Sequence, residues 1–334
     1  MPAAARPTTS SPARTPAGNI DVQRRAEEIK ALRWGLFISW SFSTFSGKDY
    51  TPGVKDVSFF RATGCDVEQW VRTAKGAEMG YILFLTKHHD GFCLWDANTT
   101  DRKVTRSPLG RDVLADLRKA CDRHDMRLAL YYSEGDWTWP EADANKPRGG
   151  GRNPETKMAE IKELLTGYGP IEFLWFDHAA GDGGLSHEDT ARWVQRLQPG
   201  CFVGFNTGTA AGNLRLGKLG RPASLKEPAG AGQGAKSTQG YDGYLLAEFT
   251  YPIQLSKEGG ALWFYSPARH NGPCVPASRL YEDYVGAVRC GNIFSIDVGP
   301  DHAGRLREID VRTLREVGRM IREKAPTTRA GVRR

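Results

Sequence analysis

A lysine, two histidines and an aspartate stand in a row at Lys87-His88-His89-Asp90-Gly91-Phe92, directly after the apolar run Tyr81-Ile82-Leu83-Phe84-Leu85-Thr86. Short apolar runs rich in large side chains read as buried strands of a parallel sheet. A strand that breaks into this run carries several hydrogen-bonding groups to one sheet edge, and Gly91 lets the chain turn away sharply. The plainer reading is a pair of half-exposed histidines in a loop; the strand in front of them weighs against it.

Carboxylates supply the second set of reactive groups. In Ile171-Glu172-Phe173-Leu174-Trp175-Phe176-Asp177, strand alternation places Phe173, Trp175 and Asp177 on one face. An aspartate beside an aromatic ring at a strand end is a better candidate for chemistry than a helix cap. Glu248, within Ala247-Glu248-Phe249-Thr250, lies inside an apolar strand and needs a partner or a task. Glu227, in a long loop, competes with it, and Glu134 and Asp136 are further carboxylates of lower weight. Two carboxylates across an aromatic-lined mouth suit glycoside hydrolysis, in which one attacks the anomeric carbon and the other protonates the leaving oxygen. A metal hydrolase is the rival, since His88, His89, Asp90 and His178 are all at hand. Neighbouring residues of a regular strand point to opposite faces, so the two histidines are expected not to share an ion unless the strand is broken there. A helical His-Glu-x-x-His is absent as well. No metal and no cofactor is expected.

The elements that must position these groups alternate in kind. Strands are expected over residues 34–38, 81–86, 127–133, 171–177, 201–206, 244–249, 261–265 and 292–298. Helices are expected from Asp66, over 112–124, from Pro154 to about residue 168, after the cap Ser186, and over 278–289 and 306–324. Residues 207–240, rich in Gly, Ala and Lys, read as a long loop or lid. This pattern predicts a (β/α)8-type TIM barrel in a single catalytic domain over residues 20–326. Strand ends carry Ser39 and Trp40, His88 and His89, Tyr131 to Glu134, Asp177 and His178, Asn206, and Glu248. Polar groups at one end of successive strands converge on one mouth, which is the physical case for an enzyme. Neither a dinucleotide-binding glycine fingerprint nor a phosphate-binding loop is present.

Composition narrows the partners. There are 46 Lys and Arg against 39 Asp and Glu, a net charge of +7, with basic residues at the chain ends and on helix faces. No segment interleaves arginines with aromatics, so nucleic-acid binding is not expected. The six cysteines form no CxxC pair and no zinc spacing, and no disulfide framework is predicted. No run approaches the ~18 apolar residues of a membrane span. Residues 1–19 read as a disordered leader and 327–334 as a flexible tail. The compartment is open: secreted or periplasmic if a signal peptide has been removed, cytoplasmic otherwise. The oligomeric state is equally open.

These residues resemble the family 29 glycoside hydrolases, the retaining α-L-fucosidases. The resemblance runs from Trp34 to Lys324. It is carried by Lys87-His88-His89-Asp90-Gly91-Phe92-Cys93-Leu94-Trp95-Asp96, by Arg111-Asp112-Val113, by Tyr131-Tyr132-Ser133 with Asp136-Trp137, by Leu174-Trp175-Phe176-Asp177, and by Gly291-Asn292-Ile293-Phe294-Ser295-Ile296-Asp297-Val298-Gly299-Pro300 with Gly304. It implies Asp177 as the nucleophile, His88 and His89 on sugar hydroxyls, and Tyr131 and Trp175 packed around the ring. It implies no cofactor and a fucosylated oligosaccharide or glycoconjugate as substrate.

The chain departs from the family pattern at several points. Ser39 stands where a histidine is usual, ahead of Trp40, and Asp49-Tyr50 where Glu-Trp is usual; Ser39, Trp40, Asp49 and Tyr50 are therefore taken as sugar-contacting positions. An arginine usual after the fifth strand is replaced by Thr207-Gly208, with Arg215 or Arg221 as substitutes. Glu248 matches one version of the family's acid/base; the other falls near Pro222-Ala223, where no glutamate stands. The family's C-terminal β-sandwich is expected to be lacking. The departures bear on the sugar more than on the reaction. The other reading is a catalytically lapsed barrel that binds glycans without hydrolysis.

Overall fold

The structure, a computed structural model, describes residues 20–143, 149–177, 181–206, 212–218, 244–254, 262–267 and 273–324. The expected leader and tail lie outside the described residues. Among these residues eight strands form one sheet: β1 (Trp34–Ile38), β2 (Tyr81–Lys87), β3 (Arg127–Ser133), β4 (Phe173–Asp177), β5 (Phe202–Phe205), β6 (Leu214–Lys218), β7 (Leu246–Pro252) and β8 (Ile293–Val298). Their order is β5-β4-β3-β2-β1-β8-β7-β6, and every ladder is parallel. The two ends of that order meet: Val203 N–H on β5 donates to Oδ1 of Asn213 beside β6 at 2.8 Å. Gly204 makes room there, since a Cβ on it would fall 2.6 Å from Leu216. The sheet curls nearly closed into a (β/α) TIM barrel.

Among the described residues eight α-helices accompany the strands: α1 (Val22–Lys30), α2 (Phe42–Ser46), α3 (Val67–Gly76), α4 (Val113–Arg123), α5 (Pro154–Gly167), α6 (His187–Leu197), α7 (Ala277–Arg289) and α8 (Glu308–Lys324). Asp66, Asp112, Asn153 and Ser186 cap α3 to α6, each accepting the backbone N–H three residues on. Pro154 starts α5, where its missing N–H costs nothing. Apolar stripes such as Val113, Leu114, Leu117 and Cys121 on α4 are buried. Among the described residues no helix is long and apolar enough to cross a membrane. The six cysteines are free.

The barrel's lower interior is plugged by Tyr81. Its hydroxyl meets Ser295 Oγ at 2.7 Å, and its ring stands edge-on to Phe173 at 5.4 Å. Gly35 permits this, because a Cβ there would lie 2.4 Å from the Tyr81 ring.

Two expectations are corrected. Residues 262–267 form no strand, although 261–265 read as one. The sixth strand is instead β6, inside the stretch that read as loop. Leu214-Arg215-Leu216-Gly217 is too short and too mixed to signal a strand by itself; its ladder with β7 and its burial of Leu214 and Leu216 make it one. The expected count of eight was reached through these two compensating errors. Glu248 therefore stands on the seventh strand, not near the end of the sixth.

Candidate active site

A cavity with about 390 Å³ of empty space, the solvent at its open mouth included, lies at the C-terminal ends of the strands. Phe37 and Ser39 reach it from β1, Leu85, His88 and His89 from β2, Tyr131 from β3, and Trp175 and Asp177 from β4. Asp49, Tyr50, Trp263 and Phe264 close it from the connecting segments.

Asp177 ends β4 and is 2% exposed. Tyr131 Oη donates to its Oδ2 at 2.8 Å, and Asn206 Nδ2 donates to its Oδ1 at 3.0 Å. Nε2 of His89 lies 3.8 Å from Oδ2. Each carboxylate oxygen thus has one firm donor on the protein side, which suits the ionised, acceptor-only form. The Tyr131 phenol is pushed well above its ordinary pKa by burial and by the neighbouring Asp177 charge, so it stays a donor. Tyr131 and Trp175 stack at 5.3 Å between ring centres, forming an aromatic surface beside the carboxylate.

Both histidines face the cavity, with ring centres 4.2 Å apart. The alternation expected to separate them does not apply, because the β2–β3 register shifts between Leu85 and Lys87 and the strand ends at Lys87. Leu85 lines the cavity, and the irregularity then turns Lys87 outward and His88 inward. Lys87 is fully buried, with Nζ 2.7 Å from Glu160 Oε2 on α5 and 3.4 Å from Asp136 Oδ2. Burial pushes its pKa down, but Glu160 and Asp136 outweigh this and hold it above the ordinary value. Among the described residues no three His, Cys, Asp or Glu are grouped to hold a metal ion.

The positions marked by the departures sort by strand alternation. Ser39 lines the cavity, and its hydroxyl donates to Oδ1 of Asp297 on β8 at 2.5 Å. Trp40 is a correction: it does not line the cavity. As the next residue it turns outward, donates to Asp301 O at 3.1 Å, and packs edge-on against Phe60 and Trp70. Tyr50 is 42% exposed and lies over His88 and His89 at 6.1 and 5.9 Å. Asp49 Oδ1 accepts from Trp263 N–H at 3.2 Å, joining the two segments that wall the cavity.

Glu248 is fully buried and lines no part of the cavity. Its Oε2 accepts from Trp175 Nε1 at 3.0 Å, so the indole lies between it and the mouth. Burial pushes its pKa up to about 7, with hydrogen bonds from Ser295 and Trp175 pulling the other way. Glu134 points away from the mouth to Lys157 on α5 at 2.7 Å, and Asp136 serves Lys87 and caps Thr138. Arg215 lies over the Tyr244 ring at 5.6 Å and not in the cavity. His178, Arg221 and Glu227 lie outside the described residues. Asn206 and Ser133, polar strand ends in the sequence, emerge as partners of Asp177 and His89, and Asp297, Trp263 and Phe264 join the site with no signal in the sequence.

A family model described as alpha-L-fucosidase matches residues 23–325. The chain belongs to the alpha-L-fucosidase family. Alpha-L-fucosidase 1 of Arabidopsis thaliana is 28% identical over 323 residues, covering 86% of this chain and 59% of that protein. The plasma alpha-L-fucosidase of Rattus norvegicus is 27% identical, covering 87% of this chain and 66% of that protein. The chain thus spans less than two thirds of the length of either relative. Among solved structures, alpha-L-fucosidase isoenzyme 1 from Paenibacillus thiaminolyticus matches with a TM-score of 0.70 at 25% identity, covering 90% of this chain and 76% of that one. A putative alpha-L-fucosidase from Bacteroides ovatus matches with a TM-score of 0.71 at 25% identity, covering 90% and 55%.

Proposed function

We propose that this family member is a retaining, exo-acting glycoside hydrolase that removes a terminal α-L-fucosyl or related residue from an oligosaccharide or glycoconjugate. The observation that carries the reading is the setting of Asp177: a carboxylate at the mouth of a barrel, with one donor on each oxygen and an aromatic wall beside it. In the first step a carboxylate oxygen of Asp177 bonds to the anomeric carbon as the bond to the leaving oxygen breaks. An acid delivers a proton to that oxygen. Water then attacks the glycosyl ester, gives its proton to the same group, and frees Asp177. Tyr131 and Trp175 offer flat apolar faces to the ring, and His88 and His89 offer directional bonds to its hydroxyls.

The seat of Glu248 behind Trp175 argues against it as the acid. Glu227 is the remaining candidate among the glutamates singled out by sequence, and we assign the acid/base role to it. Glu248 then serves by holding Trp175.

Aryl α-L-fucosides test the reading. The wild type should release the phenol, with the anomeric configuration retained by NMR, and Asp177→Ala should lose turnover by orders of magnitude. Azide should restore turnover in that variant, giving the inverted azide. Glu227→Ala should keep the most activity on substrates with the best leaving groups. Undiminished turnover in Asp177→Ala rules out the nucleophile. Sugar binding without release from any aryl glycoside would favour a lapsed, glycan-binding barrel.

A further inference from the structure

Arg102 follows the turn that ends β2, and its main chain is fixed there. Its carbonyl accepts from Cys93 N–H at 2.9 Å, and its N–H donates to Thr100 Oγ1 at 3.0 Å. The half-buried side chain then reaches two separate stretches of backbone. Nε donates to the Asp90 carbonyl at 2.6 Å, in the turn that carries His88 and His89. Nη1 donates to the Lys55 carbonyl at 3.3 Å, and Nη2 to the Val54 carbonyl. The guanidinium carbon lies 5.0 Å from the centre of the Phe42 ring, which itself stacks on Phe92 at 4.4 Å. A planar fork with donors on three nitrogens serves three carbonyls at once; an ammonium on a flexible stem does not hold those directions.

We propose that Arg102 is a positioning residue that clamps the segment bearing Asp49 and Tyr50 to the turn bearing the histidine pair, and so sets the width of the cavity mouth. Residues 50–56 belong to no helix or strand, so no ladder fixes their distance from the barrel. Thr51 ties the segment to α2, through Ser43 Oγ at 3.1 Å and Ser46 Oγ at 2.7 Å. Arg102 ties it to the end of β2. Tyr50 and the two histidines belong to the two bodies so joined, and their rings line one cavity with centres 6.1 and 5.9 Å apart. Arg102 itself lines no part of that cavity. A shift of about 1 Å in a group that positions substrate can cost about 100-fold in rate, so the clamp bears on turnover without touching the sugar.

The clamp is independent of the glycosidase reading; its effect on turnover rests on that reading. Two measurements keep the parts distinct. The first needs no substrate. Lys48 and Lys55 bracket most of the clamped segment and are exposed, so trypsin reports its opening. In Arg102→Met, cutting after these two lysines should speed up about tenfold or more, with cutting elsewhere unchanged. Arg102→Lys keeps the charge and loses the fork; it should fall between, and it carries the test if the methionine variant does not fold. Unchanged cutting at both lysines overturns the proposal. Acceleration along the whole chain in Arg102→Lys overturns it as well, because Arg102 would then serve the general fold.

The second measurement is a double-mutant cycle with Tyr50→Ala, read as kcat/KM on an aryl fucoside. The Arg102 variants should cost about tenfold when Tyr50 is present and less than about twofold in the Tyr50→Ala background. Losses that multiply independently would show that Arg102 does not act through the Tyr50 segment. Absence of any release by the wild type would instead sink the glycosidase reading and leave the trypsin result standing.

Discussion

The indole N–H of Trp175 on β4 donates to the carboxylate of Glu248 on β7 at 3.0 Å, a hydrogen bond that crosses the barrel interior. It pins the ring that stacks on Tyr131, and Tyr131 in turn holds Asp177. A carboxyl far from solvent therefore sets the floor on which a sugar ring would rest.

Glu248 makes stability depend on pH with a definite sign. Its folded pKa is raised from 4.5 to about 7 by burial. The folded state binds the proton more tightly than the unfolded chain, so the stabilisation is complete below the unfolded value and is lost as pH rises through the folded one. Glu248→Gln keeps an acceptor for Trp175 and cannot ionise. Thermal melts between pH 4.5 and 7 should show the wild type losing stability relative to this variant, by at most roughly 3 kcal/mol. Parallel Tm curves for the two proteins would refute the assignment.

Tyr131→Phe removes a donor on Asp177 while keeping the stacked ring. Hydrogen bonds to charged groups contribute about 1.5–3 kcal/mol. The variant should melt close to the wild type and lose about 10- to 100-fold in kcat on an aryl glycoside. Unchanged kinetics would mean that the phenol does not support the carboxylate during the reaction.

Lys87→Met should be among the most damaging single changes. It leaves Glu160 and Asp136 without the buried cation that they share, and it removes a charge lying 4.2 Å above the Trp139 ring. Breaking one partner out of a buried ionic group costs about 3–5 kcal/mol. A urea titration reads this directly, and a loss below about 1 kcal/mol would contradict the geometry.

Ser39→Ala cuts the hydrogen bond to Asp297, which is 1% exposed and has no solvent to fall back on. The expected cost is about 1–3 kcal/mol. Differential scanning calorimetry should show a lower Tm, and Ser39→Thr should recover part of it. An unaltered Tm in Ser39→Ala would show that the contact contributes nothing net.

How much of this was legible beforehand varies by residue. Asp177 and the histidine pair stood out because each interrupts an apolar strand at its end, where polar groups have no structural excuse. Trp40 misled because it adjoins a cavity residue, and adjacency along a strand means opposite faces. The histidines misled the other way: the irregularity between Leu85 and Lys87 cancels that same alternation. β6 escaped notice since its burial comes from β7 and from Gly204 across the closure, not from its own pattern.

Local order was written in the chain itself: capping residues, apolar periodicity and strand-end polar groups each act over a few residues, so the barrel and the place of Asp177 at a strand end could be read from them. Contacts between distant segments obey no such short-range rule. That Glu248 answers to Trp175, Ser39 to Asp297, and His89 to Ser133 became definite only when closure of the sheet brought β4 to β7, β1 to β8, and β2 to β3 at a particular register. A side chain's chemistry belongs to its type, but its partner and its exposure belong to the packed whole, because hydrogen bonding and desolvation are decided by what lies within a few ångströms in space.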